Sequence, residues 1–192
     1  MRCDNCKAGK PKLQKGPCHY TGCGLPDVYL KNVRWTVCPE CKDITVEIPR
    51  IGHLHRCIAW LIVVKNSYLT GQEMIYLRKM LRKSQREMAE VLGIGQVSLN
   101  RWEREKRSGH TKAMDTLFRM VYLALQDDEY THDANQKIRE ALIKYFGNIK
   151  SEAVPLSAEI DPRTCSPEDV IDQALVPVIS GQSGSQCAAP DL

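Results

Sequence analysis

Thr70 to Glu105 reads TGQEMIYLRKMLRKSQREMAEVLGIGQVSLNRWERE, and the chemistry of this stretch decides the fold. Two helix starts stand in series. At each, a hydroxyl and a Glu three positions later satisfy each other's otherwise orphaned amides: Thr70 with Glu73, and Ser84 with Glu87. Gly93-Ile94-Gly95 is a tight corner, and Gln96 to Glu105 is polar on one side, with Leu99 and Trp102 three apart for the core. Helix, short turn, helix is the arrangement that sets a second helix into the major groove of DNA. An amphipathic pair in a bundle or repeat protein would leave Arg and Asn as a merely solvated face. Against that, residues 70 to 110 carry nine Lys/Arg and five Asp/Glu, the electrostatic footprint of a DNA reader.

The string SQREMAEVLGIGQVSLNRWERE resembles the Xre/Cro-type helix-turn-helix. The resemblance implies that Ser-Gln opens the scaffold helix, that Ala89 lets two helices cross, and that Arg-Trp-Glu ends the reading helix. This chain departs from the family twice. Arg82-Lys83 replaces a Gly-containing turn between the first two helices, and Gly95 replaces the usual Ser/Thr cap, a position Gly fills acceptably. With Gln96 opening the reading helix, Gln96, Val97, Asn100 and Arg101 fall toward the groove. Arg can grip guanine O6 and N7, Gln can pair adenine, and Val97 can touch a thymine methyl. Gln85 would clamp a phosphate by family analogy, helped by its helix N-terminus. Arg82, Lys83, Arg104, Lys106 and Arg107 are expected to supply phosphate affinity rather than base choice.

Outside this stretch the charge is split. Residues 1 to 149 hold 25 basic and 16 acidic side chains, a net of +9, and residues 150 to 192 hold two and seven, a net of −5. The longest apolar run, Ile58 to Val64, is far short of the roughly 20 residues of a membrane span, and no signal-type segment opens the chain. A cytoplasmic protein is expected. In that compartment nine cysteines point to metal rather than disulfides.

Cys3-Asp-Asn-Cys6 and Cys38-Pro-Glu-Cys41 are two CxxC pairs with 31 residues between Cys6 and Cys38. Each can curl two thiolates onto one ion, and together they complete the closed tetrahedral shell of one structural zinc per chain. Thioredoxin-like chemistry would need a βαβ context that neither pair has. Val28 to Leu30, Val33 to Val37 and Ile44 to Ile48 are β-prone runs, suggesting a small sheet beside the metal. Cys18, His19 and Cys23 sit among loop residues and read as packing or free thiols. No proline interrupts Pro49 to Pro155, which marks the helical region. It starts with Leu54, Cys57, Ile58, Leu61 and Ile62 on one helical face. His53, His55 and Cys57 read as surface and core residues, not metal ligands.

Past the reading helix, Ala113, Leu117, Met120, Val121 and Ala124 form another apolar stripe. Asp133 with Gln136 reads as a capping box for a last helix ending at Gly147. The expected fold is therefore α+β. A zinc-ribbon-like β domain (1–50) and a helical linker (51–69) precede a five-helix Xre-type domain (70–149). A disordered acidic tail (150–192), too poor in apolar surface to fold alone, completes the chain.

This order of parts is similar to the zinc-finger antitoxins of the MqsA type and the regulators grouped with them. The resemblance implies a zinc-stabilised domain able to hold a partner toxin and a dimerising domain that represses its own operon at a palindromic site. Residues 1 to 50 carry nine basic and five acidic side chains, so charge gives no support for a basic toxin. Any such contact is expected at Tyr29, Trp35 or Leu54 to Val64. The reading is a non-enzymatic, sequence-specific repressor acting as a homodimer and, as the resemblance implies, the antitoxin of a type II toxin-antitoxin pair that regulates its own operon. The alternatives are a zinc-ribbon interaction adaptor or a regulator without a toxin. A zinc hydrolase is disfavoured because four thiolates leave no open coordination position.

Overall fold

A computed structural model of the chain describes residues 2–104, 109–126, 132–145 and 149–175. Strand β1 (Lys12–His19) pairs antiparallel with the long β2 (Asp27–Val37), which pairs on its other side with β3 (Ile44–Glu47). The β-prone runs at Val28 to Leu30 and Val33 to Val37 are thus one strand. β1 escapes sequence reading because Lys, Gln, Gly and Pro dominate it. It is an edge strand, where Pro17 is tolerated, and the register shifts between Gly16 and Cys18.

Helix α1 (Ile51–Val64) buries Leu54 and every residue from Cys57 to Val64. A helix that is apolar all round belongs at the centre of a core. The segment expected to be a linker is instead the element on which the sheet, α2 and the C-terminal helices converge. The same burial removes Leu54 to Val64 as a docking surface, since Ile58 is fully enclosed.

The helical region follows as α2 (Gly71–Met80), α3 (Gln85–Leu92), α4 (Gln96–Arg104), α5 (Lys112–Leu125) and α6 (His132–Tyr145), five helices from Thr70 as expected. Both capping boxes form. Asp133 instead lies within the first turn of α6, and Gly147 is outside the described residues. The chain then departs from expectation. Short β4 (Ser67–Tyr68) pairs in parallel with β5 (Lys150–Ala153), β6 (Ser157–Ile160) adds in parallel to β2 at residues 27–30, and α7 (Pro167–Leu175) packs on α1 and α6.

Residues 150–175 are therefore an ordered strap rather than a disordered tail; the rest of the expected tail, 176–192, lies outside the described residues. The segment lacks the apolar surface to fold alone, yet it lends Leu156, Ala158, Ile160 and Val170 to a core supplied mostly by others. One bond in the strap is covalent. Cys165 is joined to Cys57 of α1, with their Cα atoms 6.6 Å apart, so the expectation that the cysteines serve metal rather than disulfides fails for this pair.

Two buried polar clusters lock the junction between α1 and the helical region. Arg119 on α5 donates to the carbonyls of Val63 (2.7 Å) and Lys65 (2.8 Å) at the end of α1, whose last turn holds no basic residue, and to that of Ser67 (2.6 Å) in β4. Asp115 balances its charge at 2.7 Å and also accepts from His110 and the Leu69 amide. Glu73, having closed its capping box, accepts from Lys65 (2.6 Å) and from the Leu156 amide of the strap (2.9 Å). His55, which the sequence marks as no metal ligand, is half-buried. Its two ring nitrogens lie 2.9 Å from the Tyr20 hydroxyl and 3.1 Å from that of Tyr76, tying the sheet side to α2.

Candidate nucleic-acid interface and metal centre

The reading helix α4 presents two faces. Leu99 and Glu103 are buried. Gln96, Arg101 and Arg104 are exposed, Asn100 is half-buried, and Val97 is 84% exposed, the most exposed of the large apolar side chains. Lys83 is half-exposed and Arg82 exposed in the turn between α2 and α3. Arg107 and Lys106 lie outside the described residues.

What holds the reading helix is a network that sequence reasoning did not assemble. Glu103 accepts from Arg78 of α2 through both oxygens (2.6 and 3.0 Å) and from the Gln85 amide of α3 (2.6 Å). Gln85 in turn accepts from the Asn100 side chain at 3.0 Å. Three helices thus meet on one buried carboxylate, and the structure brings Gln85 and Asn100, expected to contact phosphate and base respectively, into direct contact. The signal available in the sequence was a charge on the stripe of Leu99 and Trp102, which needs a buried partner. Gly71, opening α2, lies so close to the end of α4 that a Cβ there would come within 2.4 Å of the Glu103 carbonyl oxygen.

The corners are also built from backbone requirements. Gly93 has φ +67° and ends α3, with the Ile94 amide bonding back to Ala89, a left-handed helix stop. At the other corner Arg82 has φ +54°, the conformation that the glycine it replaces would adopt without strain.

At the far end of the sheet, Cys3, Cys6, Cys38 and Cys41 bring their sulfurs within 4.8 Å of one another. Cys3 to Cys41 is 3.7 Å and Cys6 to Cys38 is 3.6 Å. Tetrahedral thiolates around zinc, with bonds of about 2.3 Å, stand about 3.8 Å apart, so the cluster fits a structural metal site. The two knuckles repeat one another. In each, the residue after the second cysteine is a Lys in left-handed conformation, Lys7 at φ +59° and Lys42 at φ +60°. Its amide bonds the carbonyl of the first cysteine. Gly9 closes the first knuckle, its amide 3.5 Å from Cys6 Sγ, and a Cβ there would meet Cys38 Sγ at 2.4 Å.

The thiols divide as crowded like groups must. The amides of Gly9 and then Ala8 draw Cys6 down to about 6. Cys41 is pushed up to about 12: the Asp43 amide favours its thiolate but is outweighed by burial and the neighbouring sulfurs. Four thiolates cannot share this space without a cation. Among the described residues no other group of metal-ligating side chains is close enough to hold an ion. Cys23 donates to the Tyr20 carbonyl, and the His19 ring lies 2.6 Å from that of Pro26, consistent with packing roles.

No helix among the described residues is long and apolar enough to cross a membrane. No curated protein and no solved structure matches the chain. Residues 74–108 match the family model described as helix-turn-helix, and the chain thus carries an Xre-type helix-turn-helix domain, a module of DNA binding and transcriptional regulation.

Proposed function

We propose that the protein is a sequence-specific, double-stranded DNA-binding repressor that docks as a homodimer on a palindromic operator, with one structural zinc per chain held by Cys3, Cys6, Cys38 and Cys41. The carrying observation is the contrast on α4: an exposed row of Gln96, Val97 and Arg101 on a helix held rigid by the buried carboxylate of Glu103. Arg101 and Gln96 read base edges, Val97 meets a thymine methyl, and Asn100 is aimed by Gln85. Lys83 and Arg104 add phosphate affinity. Two copies related by a two-fold axis read half-sites about 34 Å apart. Zinc, when bound, neutralises the thiolates and fixes the two knuckles; it takes no part in the DNA chemistry.

The antitoxin role rests on the resemblance in order of parts alone. Tyr29 and Trp35 are half-buried, and no further observation on this chain favours a toxin contact. Selection from a random duplex library with the purified protein tests the repressor reading. A recovered palindrome bound far more tightly than random DNA supports it. Binding of equal strength to all duplexes supports instead an adaptor whose DNA contact is incidental.

A further inference from the structure

Two cysteines outside the four-thiol cluster are 108 residues apart in sequence and meet in the fold. Cys57 is fully buried on α1, and Cys165 is half-buried in the turn before α7. Their Cα separation of 6.6 Å lies within disulfide reach. A third group attends them. His53, one turn earlier on α1, places Nε2 2.8 Å from the Cys165 carbonyl oxygen and 3.6 Å from Cys57 Sγ. An N–H there can be shared between that carbonyl and a Cys57 thiolate.

We propose that Cys57 and Cys165 form a reversible, peroxide-responsive clasp that fastens the strap of residues 150–175 to α1. In the reduced protein the more accessible Cys165 thiolate attacks hydrogen peroxide, becoming a sulfenic acid as hydroxide leaves. The Cys57 thiolate, held by His53, then attacks that sulfur. The S–S bond forms, a second hydroxide departs, and two protons from solvent complete two waters. A small dithiol reverses the step by exchange at Cys165.

Without the bond the strap is held by separable contacts. These include β6 on β2, Asn32 to Asp161 (2.8 Å), Arg50 to the Arg163 carbonyl, and Glu73 to the Leu156 amide. The last contact reaches the start of α2, which packs on the end of the reading helix. The loop closed by Cys57 and Cys165 contains the whole helix-turn-helix, so the clasp restricts its unfolding.

The test uses the full, zinc-loaded chain. It is reduced, exposed to hydrogen peroxide, alkylated with iodoacetamide and digested for mass spectrometry, with protease resistance and Tm measured in parallel. Peptides carrying Cys57 and Cys165 should appear joined. The strap should resist protease several-fold longer and Tm should rise, both reversing with dithiothreitol and both absent in Cys165→Ser. His53→Phe should slow bond formation without abolishing it. Recovery of both cysteines fully alkylated after peroxide would overturn the proposal. So would an equal peroxide response in Cys165→Ser, which would place the oxidation at the metal cluster instead.

Discussion

Glu103, near the last turn of the reading helix, accepts two hydrogen bonds from the Arg78 guanidinium of α2, at 2.6 and 3.0 Å, with both side chains nearly removed from solvent. That fork fixes the angle at which α4 stands on its scaffold. Breaking one side of a buried pair costs about 3 to 5 kcal/mol because the partner is left charged and unpaired. Glu103→Gln should therefore lower stability by about 3 kcal/mol. It should also weaken DNA binding beyond what unfolding explains, since Gln85 and Asn100 lose their anchor. Urea melts with binding at a temperature where the variant is folded separate the two effects.

Arg82 adopts a left-handed conformation that costs an L-residue roughly 1 to 2 kcal/mol. Arg82→Gly should raise the urea midpoint by the equivalent of about 1 kcal/mol, with an unchanged m-value. The same variant should bind every duplex more weakly, having lost a cation beside the phosphates. Stability and affinity moving in opposite directions is the expected signature.

For the metal centre, elemental analysis should find one zinc per chain, lost in Cys3→Ser and retained in Cys18→Ser. Gly9→Ala should lower metal occupancy because its Cβ would displace Cys38 Sγ. Leu25 and the sheet residues Val28 and Leu30 share one apolar cluster with α1 and the helical region. Chelation should consequently lower the Tm of one cooperative transition rather than melt a separate N-terminal domain. Calorimetry with and without chelator shows which occurs.

Asp115 is a second buried anchor. Burial raises its pKa, but the hydrogen bond from His110, the Arg119 charge and the Leu69 amide outweigh burial and hold the carboxyl below the ordinary carboxylate range. A depressed folded-state value contributes stability that is present above the ordinary value of about 3.9 and is lost as pH falls through the folded one. Asp115→Asn should be destabilised by about 3 to 5 kcal/mol at pH 7, with a flatter loss of stability below about pH 4. Denaturant melts across that range provide the check.

The helix-turn-helix was legible because its signals are local. Thr70, Glu73, Ser84 and Glu87 announce two helix starts within three residues each, and the CxxC spacing picks out the four thiols that cluster in the fold. What stayed hidden depends on contacts distant in sequence. Leu156, Ala158 and Ile160 looked too sparse to fold because the core that receives them is built from β2 and α1. Arg78 and Glu103, 25 residues apart, meet only when three helices close around them. Cys57 and Cys165, 108 residues apart, carry no motif that pairs them. Charge was misleading for the strap, where acidic residues alternate with buried apolar ones.

Whether the exposed face of α4 reads sequence is decided by the binding of Arg101→Ala and Lys83→Ala to a selected palindrome and to random DNA across a salt series. Arg101→Ala should lose about 1 to 3 kcal/mol on the palindrome, relax choice at one base position and change random binding little. Lys83→Ala should weaken both duplexes alike and reduce the salt slope by about one. Equal losses on palindrome and random DNA for Arg101→Ala would show that this side chain holds phosphate and reads no base.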